Sequence, residues 1–432
     1  MTSRATFSVA AEGVVGIAIE DRPSVYKAPD IFVPITSESL STQESNVYRR
    51  LLQDTPDPVN VKAGNEAHEG NIEMEALIEI LPYFLFGMRG DVSKAAGAGS
   101  GDHVYTFNPT TKGQKGDKGT LSLTIVRADV VFAYTGCVIG SLAFNVNDGL
   151  LNMTLGIMGA DEGVQPAPSN PSWPATVPFG SGEYQIEIPV GTQVYDADTF
   201  TFNVNDNATS EYRLQNTRRG PWFIKFGERS VDLDTERDFN SRAEFDNYKN
   251  LTQRRVKITA IRRDDNERYL TIDLGSSVVD SHEVSLSGGQ GDLVRASVKY
   301  MGVLPIPGTP AHTALGGNIY RLTIGSGLDL TVGAGRPYEW VPGAIVAATA
   351  AGTFKVPDFV GMPAAASYDA EVNESDDFTG TAATVNETGS PSAGEDCSLA
   401  ISGLTASTDY YVRVRAGSNG DWSDTVTFTT PN

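Results

Sequence analysis

Histidine side chains are the first groups to test for chemistry in this 432-residue chain. None of the four has a companion at the spacing that metal ligation or a catalytic triad requires: His68, His103, His282 and His312. The run Ser281-His282-Glu283 places a hydroxyl, an imidazole and a carboxylate on adjacent residues, and adjacent residues do not give triad geometry. We therefore expect no catalytic site.

An alternating acidic run is the next candidate, because carboxylates can hold a cation. Its members are Asp232, Asp234, Glu236 and Asp238. The central glycine and distal glutamate of an EF-hand are absent, so a solvated or inter-subunit acidic edge is favoured over a metal site. The glycines between Gly97 and Asp102 are not followed by Lys-Ser or Lys-Thr, which excludes a phosphate-binding loop. No cofactor is expected.

The charge balance narrows the classes of partner. Fifty-four acidic residues against 33 basic ones give a formal net charge of -21. Such a chain repels phosphates on average, which disfavours tight nucleic-acid binding. Plain solubility explains the charge, and the charge also suits a surface along which DNA slides without sticking.

Targeting features and cysteines limit the setting in which the chain works. The N-terminus lacks a signal-peptide pattern, and no run approaches the roughly 18 apolar residues of a membrane span. We expect a soluble cytoplasmic product without a membrane anchor. The two cysteines, Cys137 and Cys397, do not make a disulfide framework and are interpreted as buried thiols.

Period-two alternation predicts a β-rich body that would position any such groups. Residues 120–126 read as a half-buried strand. Residues 142–158 read as a hairpin around Asn147-Asp148-Gly149. Residues 255–261 and 268–274 read as a second antiparallel pair.

Short helices are predicted at three places. Ser41-Thr42-Gln43-Glu44 and Ser241-Arg242-Ala243-Glu244 have the spacing of capping boxes, each followed by apolar residues at helical intervals. The stretch 72–86 begins with strand-like alternation and then becomes apolar, and Pro82 is placed to start a short helix.

Two segments are candidates for contact with partners. Residues 87–119 have no periodicity, and a glycine-rich loop of this length in a compact domain indicates function or ordering by a partner. Its candidate contact residues are Gly97, Gly99, Gly101, Lys112, Lys115 and Lys118. Mixed charges from 213 to 268 suit pairing between subunits, although an ordinary charged surface explains them equally well. Here the candidates are Arg218, Arg219, Arg237, Asp232 and Asp234.

Proline density near residues 304–310 indicates a domain boundary. It divides the chain into a first domain (1–305), a connecting segment (306–342) with a strand near 320–324, and an acidic module (343–432). The module's run from Leu404 to Tyr410 resembles the tyrosine corner of fibronectin type III and related immunoglobulin-like sandwiches. That resemblance implies that the Tyr410 hydroxyl bonds to backbone.

Residues 1 to about 300 resemble the major tail tube proteins of long-tailed bacteriophages. The resemblance lies in three runs taken in order, residues 33–40, 69–73 and 134–142. It implies a mainly β fold: a two-sheet sandwich or barrel with one or two short helices, followed by the immunoglobulin-like sandwich. A recurring pentapeptide, residues 144–148 and 202–206, is interpreted as marking two related half-sheets.

The resemblance also implies a function. The chain would be a non-enzymatic virion protein, assembled in the host cytoplasm, whose copies form rings of six that stack into a tube. Joining sheet edges around the ring would remove unpaired strands. The glycine-rich loop would reach the next ring, and other tail proteins would bind the tube ends. DNA would pass along a negative inner wall without tight binding, and the C-terminal module would decorate the exterior, with weak contact to cell-surface glycans.

Two other classes remain open. A surface adhesin or carbohydrate-binding protein would use the fibronectin-like module as its working part, although an export signal is missing. A polysaccharide-active enzyme would need two carboxylates in a cleft, and the sequence does not locate such a pair.

Overall fold

A computed structural model describes most of the chain as two compact units, Met1–Asp329 and Leu330–Asn432. Residues outside the description are 1–12, 21–23, 50–59, 100, 110–118, 128–129, 148, 167, 169–170, 172, 175–176, 215–218, 240, 286–293, 329, 331–339, 347–348, 356–366, 375–382, 389–395, 417–425 and 432. The fold is mainly β, as predicted. In the described part of the chain, no helix is long and apolar enough to cross a membrane.

The first half of the first unit, called repeat A, is a β-structure with one short helix. Its elements are β1 (Val14–Ile19), β2 (Ile31–Val33), β3 (Ser37–Glu38), β4 (Ser41–Glu44), β5 (Val47–Arg49), β6 (Asn60–Lys62), β7 (Glu66–Glu75), α1 (Leu81–Gly87), β8 (Gly90–Ala96), β9 (His103–Pro109), β10 (Leu121–Arg127), β11 (Val130–Asn147), β12 (Leu150–Gly159) and β13 (Asp161–Gly163).

The second half, called repeat B, has two short helices. Its elements are β14 (Tyr184–Glu187), β15 (Gln193–Val194), β16 (Ala197–Asn205), β17 (Thr209–Glu211), β18 (Phe223–Lys225), β19 (Ser230–Asp238), α2 (Ala243–Lys249), β20 (Arg254–Ile261), β21 (Tyr269–Ser285), β22 (Arg295–Gly302), α3 (Pro310–Leu315) and β23 (Tyr320–Ser326). The predicted connecting segment therefore contributes α3 and β23 to the first unit, and β23 pairs with β9 and β21.

The same strand pairings recur in both repeats. In repeat A, β11 pairs through its first half with β10 and through its second half with β12, and β12 pairs with β7. In repeat B, β21 pairs in the same way with β20 and β22, and β22 pairs with β19. The outer pairs β1–β2 and β14–β15 also correspond, because β1 flanks β10 as β14 flanks β20. The first unit is thus a tandem duplication.

The register breaks establish which residues are equivalent. Each long strand has two register shifts. One lies in the pairing of β11 with β10 or of β21 with β20, and the other lies in the pairing of β11 with β12 or of β21 with β22. The first shift lies between Tyr134 and Cys137 in β11 and between Leu274 and Ser277 in β21, and the second leaves Gly140 and Asp280 without an opposite residue. Matching bulges at both places make Ser141 of repeat A the counterpart of Ser281 in repeat B.

The repeated pentapeptide does not mark this duplication. Phe144 in β11 lies directly opposite Phe202 in β16, so the two copies occupy neighbouring strands and not equivalent positions. Equivalence relates β3 and β4 to β16, because those strands pair with β7 and β19 in the same register. The hypothesis of two half-sheets is confirmed by the topology, but the motif proposed to mark them was wrong; Asp148 lies outside the described residues.

The core of the first unit lies beneath a sheet that crosses both repeats, in the order β7, β12, β11, β16, β19, β22. Alternating residues point into it because successive side chains of a strand face opposite sides. One cross-strand row is fully apolar and buried: Met74, Met153, Phe144, Phe202, Leu233 and Tyr300. The 142–158 hairpin is confirmed, with Asn147 paired to Leu150, as is the strand pair β20–β21.

Two of the three predicted helices form. Pro82 lies in the first turn of α1, whose seven residues are all buried, and α2 covers the second site. The helix predicted after Ser41 was wrong. Residues 41–44 form β4 against the edge of β7, and the next apolar residues, Val47 and Tyr48, lie in β5 and are exposed. Leu51 and Leu52 of the predicted helix lie outside the described residues.

Strand β10 is buried on both faces and not half-buried as its alternation predicts. Ser122 and Thr124 are both 1% exposed. Their hydroxyls have partners that the alternation does not reveal, the Glu20 carboxylate for Ser122 at 2.9 Å and the Tyr26 hydroxyl for Thr124 at 3.1 Å. Satisfied polar groups can be buried at small cost, which is why a strand with polar alternation lies inside.

The second unit contains a three-stranded and a four-stranded antiparallel sheet. The strands are β24 (Trp340–Val346), β25 (Thr349–Lys355), β26 (Ser367–Asn373), β27 (Ala383–Thr388), β28 (Asp396–Ser402), β29 (Asp409–Ala416) and β30 (Val426–Thr429). Their orders are β24-β25-β28 and β27-β26-β29-β30. The Tyr410 hydroxyl accepts a hydrogen bond from the Thr405 N–H at 2.8 Å, which confirms the predicted corner bond.

Candidate functional site

The junction between the two repeats is a strand pair, β11 with β16, here called the repeat junction. Phe144 and Phe202 meet there and are 1% and 0% exposed. The Asp206 N–H donates to the Gly140 carbonyl at 2.8 Å and extends the pairing to the bulge. Within one chain, two sheet edges thus join into a continuous sheet.

A buried ion pair holds the end of the repeat junction. Asp206 is 2% exposed, and the Arg229 Nε donates to its carboxylate at 2.6 Å. Arg229 also donates to the Arg89 carbonyl at 2.8 Å, and Arg89 donates to the Gly227 carbonyl at 2.9 Å. Charged groups this buried are tolerated when their hydrogen bonds are satisfied, so the cluster fixes how β16 leaves the junction.

The bend of β11 depends on Gly136 and Glu20. Gly136 has φ +61°, and a Cβ there would lie 2.6 Å from the Ala160 Cβ. Glu20, 5% exposed, accepts hydrogen bonds from the Gly136 N–H at 2.7 Å and the Ser24 N–H at 2.8 Å, as well as from two hydroxyls. Burial raises the pKa of the Glu20 carboxyl despite these bonds. It also raises the pKa of the neighbouring Cys137 thiol.

Glu20 is a residue that the sequence analysis missed. The available signal was its position at the end of the wholly apolar strand Val14–Ile19, where a carboxylate is out of place unless it meets donors. The bend of β11 gives a physical reason for the residue pattern of the run 134–142. Its glycine permits the bulge that carries β11 from its pairing with β10 to its pairing with β12.

The solvent-facing side of the cross-repeat sheet, here called the open face, is polar and acidic. Three carboxylates of β7 match three of β19 at equivalent register positions: Glu69 with Asp232, Glu73 with Glu236, and Glu75 with Asp238. Lys299 and Arg295 of β22 lie on the same face, and Lys299 reaches Asp232 at 3.7 Å. The two repeats therefore present the same negative pattern.

The predicted charge-pairing residues have partners within the chain. Arg219 pairs with Glu44 at 3.0 Å and with Glu66, and Arg237 pairs with Asp196 at 3.0 Å and Glu244 at 3.2 Å. Partial burial raises the pKa of the Asp234 carboxyl, and nearby Lys299 opposes that rise. Arg218 lies outside the described residues. Pairing of these charges between subunits stays a prediction.

The glycine-rich segment is more ordered than predicted. Residues 90–96 and 103–109 form the hairpin β8–β9, with Gly97, Gly99 and Gly101 in its turn. The expectation of one continuous loop from 87 to 119 was wrong here because β9 also pairs with β23, more than 200 residues later in the chain. Lys112, Lys115 and Lys118 lie outside the described residues, and the inter-ring role of the segment stays a prediction.

A groove of about 500 Å³ opens on the open face. Its polar lining includes Gln43, Asn71, Ser141 and Asn205, and Glu69 is its single carboxylate. A glycosidase needs a second carboxylate in its cleft, which this groove lacks. The alternating acids of β19 do not form a metal site either, since no cluster of three or more potential ligands occurs among the residues that the structure describes.

The sheet that crosses both repeats has two end edges that carry no strand partner in the described structure. Residues 278–285 of β21 pair with β22 on one side only, and β4 pairs with β7 on one side only. These are called the β21 edge and the β4 edge. Val284 on the β21 edge is 40% exposed, whereas its counterpart Phe144 is 1% exposed. Exposed edges of this kind invite pairing with another chain.

The described part of the first unit is thus a duplicated β-sheet that ends at the β4 and β21 edges and has a polar, acidic open face. A family model described as phage tail tube protein matches residues 2–271, more than half of the chain. The chain therefore belongs to the phage tail tube protein family, which is structural and belongs to the virion tail.

The second unit has a separate similarity. Residues 349–430 match a family model described as purple acid phosphatase, N-terminal domain. The match covers six of the seven strands, β25 to β30, and so agrees with the boundary between the two units. No curated protein matches the sequence significantly.

Proposed function

We propose that copies of this chain form closed rings that stack into the tail tube of a long-tailed, siphovirus-type phage, through which the genome is ejected. The observation that carries the proposal is the family match over residues 2–271. The unpartnered β4 and β21 edges support it, because closing a ring satisfies both at once. Assembly takes place in the host cytoplasm.

Each chain supplies two tube repeats to its ring. The resemblance to tail tube proteins implies six subunits per ring. We propose that each repeat takes the place of one subunit, so that three chains complete a ring of six places. This revises the expectation of six chains per ring, and the duplicated pairings of β11 and β21 are the reason. The mass of an isolated ring separates three chains from six.

The open face lines the lumen in this proposal. Its carboxylates repeat in both halves of the chain, so a full ring presents them all the way round. Like charge keeps the phosphates of DNA from binding tightly while they pass. Lys299 and Arg295 are each within 4 Å of open-face carboxylates, which reduces their attraction for DNA.

The turn of the β8–β9 hairpin and residues 110–119 contact the next ring. Strand β8 pairs only with β9 in the described structure, and six of its seven residues, Asp91 to Ala96, are exposed or partly exposed. Shortening residues 97–119 should leave rings intact and block stacking. Normal-length tubes from that variant would reject this role.

The second unit is an immunoglobulin-like, fibronectin type III-like domain that decorates the exterior. The three-plus-four strand order and the Tyr410 corner support this assignment. Repetition along a tube lets weak contacts with cell-surface glycans add up. Deleting residues 343–432 should leave tube formation intact, and loss of polymerisation would contradict the decorating role.

Electron microscopy of the purified full-length chain tests the whole proposal. Rings or tubes are the expected result, with ring mass measured on the same sample. A preparation that stays monomeric at high concentration and binds glycans would instead support an adhesin.

A further inference from the structure

We infer that the contact between neighbouring chains of a ring repeats the repeat junction, with the β21 edge of one copy pairing with the β4 edge of the next. The inference rests on the proposed function and adds which edges meet and in which register. It starts from the duplication, because the two edges that lack partners are the counterparts of the two edges that are already joined inside the chain.

The first step is the identity of the edges. Within the chain, the second half of β11 pairs with β16. The counterpart of β11 is β21, and the counterpart of β16 is the β3–β4 segment, as their matching registers show. A contact that repeats the junction therefore joins β21 to β4. One chain contains one such junction, between β11 and β16, so the β21–β4 contact needs a second copy of the chain.

The second step is the register. Across the repeat junction, Ser141 lies opposite Asn205 and Ala143 lies opposite Asn203. The equivalent pairs place Ser281 opposite Gln43, His282 opposite Thr42, and Glu283 opposite Ser41 of the next copy. By the same equivalence, the Glu44 N–H donates to the Asp280 carbonyl, as the Asp206 N–H donates to Gly140.

The third step is that the backbone of the β4 edge points the right way. Ser39 and Ser45 turn their N–H groups inward, to the carbonyls of Asn71 and Asn65 at 2.9 Å each. Because backbone N–H groups alternate in direction along a strand, the N–H groups of Thr42 and Glu44 point outward, away from β7. At Leu40 the carbonyl is held by the Arg127 side chain, so the pairing begins at Ser41.

The β21 edge shows what the missing partner would cover. Val284 is 40% exposed and Phe144 is 1% exposed, although both are core-facing positions of a long strand after its second bulge. Phe144 owes its burial partly to β16, which lies beside it. A β4 edge from a second copy would stand where β16 stands in repeat A.

Disulfide crosslinking tests the register. Ser41 and Glu283 would form a non-hydrogen-bonded pair, whose Cα atoms lie roughly 4.5 Å apart, within disulfide range. The double variant Ser41→Cys, Glu283→Cys is made in a Cys397→Ser background, which leaves only the buried Cys137. The matched control, Gln43→Cys with Glu283→Cys, moves one cysteine two residues along the same strand to a diagonal position roughly 7–8 Å away.

After assembly and mild oxidation, the in-register variant should give a ladder of covalent oligomers on a non-reducing denaturing gel. The ladder should end at a circular species of three chains if the ring holds six repeats. Mixing the two single variants should give dimers and nothing larger. The out-of-register control should crosslink at least tenfold less.

Equal crosslinking of the two double variants, or none in a sample that forms tubes, would overturn the inference while the proposed function stands. Absence of rings and tubes from the wild-type chain would instead count against the proposed function. Hydrogen exchange of the unmodified chain gives a second measurement. Assembly should slow amide exchange in residues 41–44 and 280–284, and unchanged rates there in assembled tubes would also overturn the inference.

Discussion

Removing the Glu20 carboxylate should destabilise the bend of β11. Glu20 satisfies the Gly136 N–H at 2.7 Å, and Thr120 and Ser122 also donate to it. In Glu20→Ala the buried Gly136 N–H loses its acceptor, at a cost of about 1–3 kcal/mol. The two hydroxyls also lose a partner but can rotate, which adds about 1 kcal/mol. We expect a total of about 2–4 kcal/mol.

The conservative variant Glu20→Gln should cost less. Its carbonyl oxygen can keep the bonds from Gly136 and Ser122, which share one carboxylate oxygen. The amide nitrogen cannot accept from the Ser24 N–H, but Ser24 is exposed and water can replace that bond. A loss of about 1 kcal/mol is expected. Glu69→Gln, at an exposed carboxylate, is the matched control and should change stability by less than about 0.5 kcal/mol.

The assay is urea unfolding followed by circular dichroism, repeated across pH. Because burial raises the pKa of Glu20 in the folded state, its contribution to stability is fully present below the unfolded pKa and is lost as pH rises through the folded pKa. The wild-type advantage over Glu20→Gln should therefore shrink with rising pH. An advantage that grows with pH, or equal stability of Glu20→Ala and wild type, would refute the reasoning.

Four further substitutions test the repeat junction, the β21 edge, the ion pair and the tyrosine corner. Phe202→Ala should lower the free energy of unfolding by about 3–5 kcal/mol in urea. Val284→Ala should change the stability of the single chain by less than about 0.5 kcal/mol and weaken assembly measured by light scattering. A larger loss of single-chain stability in Val284→Ala than in Phe202→Ala would contradict the edge assignment. Asp206→Asn should cost about 3–5 kcal/mol in the same unfolding assay, because the buried Arg229 guanidinium loses the carboxylate that lies 2.6 Å from its Nε, and a neutral result would show that the pair is not needed. Tyr410→Phe should lower the stability of the second unit by about 1 kcal/mol in calorimetry and leave tube length unchanged in micrographs; shorter tubes would tie the corner to assembly.

Local patterns in the sequence predicted local structure well. The 142–158 hairpin, the helix at Pro82 and the Tyr410 corner each depend on residues close together in the chain, and all three are present. The mainly β fold followed from the same alternation. Each of these features is decided by short-range backbone preferences.

Features that depend on distant partners were not predictable in this way. Residues 41–44 match a capping box, yet they pair with β7 and form a strand. The β8–β9 hairpin has glycines in its turn that indicate a loop, but pairing with β23 orders it. Glu20 binds donors about 100 residues away. In each case a tertiary contact outweighs the local preference.

The sequence suggested two half-sheets but did not show which residues are equivalent, because the two repeats share geometry more than residues. Gly136 at the bend of β11 corresponds to Ser276 in β21, and Glu20 lies beside the first of these bends only. In repeat B the Ser276 carbonyl accepts from the Val303 N–H at 2.9 Å, and in repeat A the Thr135 carbonyl accepts from the Ala160 N–H at 2.9 Å. Backbone hydrogen bonds therefore hold the bend in both repeats, and in repeat A the Glu20 carboxylate holds it in addition.

The two repeats differ at some places and agree at others. The bends differ, and repeat A carries the hairpin β8–β9 between α1 and β10, whereas repeat B has no described strand between α2 and β20. The hairpins β5–β6 and β17–β18 occupy equivalent places, between β4 and β7 and between β16 and β19. The open face keeps a carboxylate at three equivalent positions of β7 and β19. In the proposed ring, the lumen is the one surface that every repeat lines in the same way, because DNA passing through it meets all repeats at the same radius. Buried bends need only be stable, and each repeat can meet that requirement with different residues.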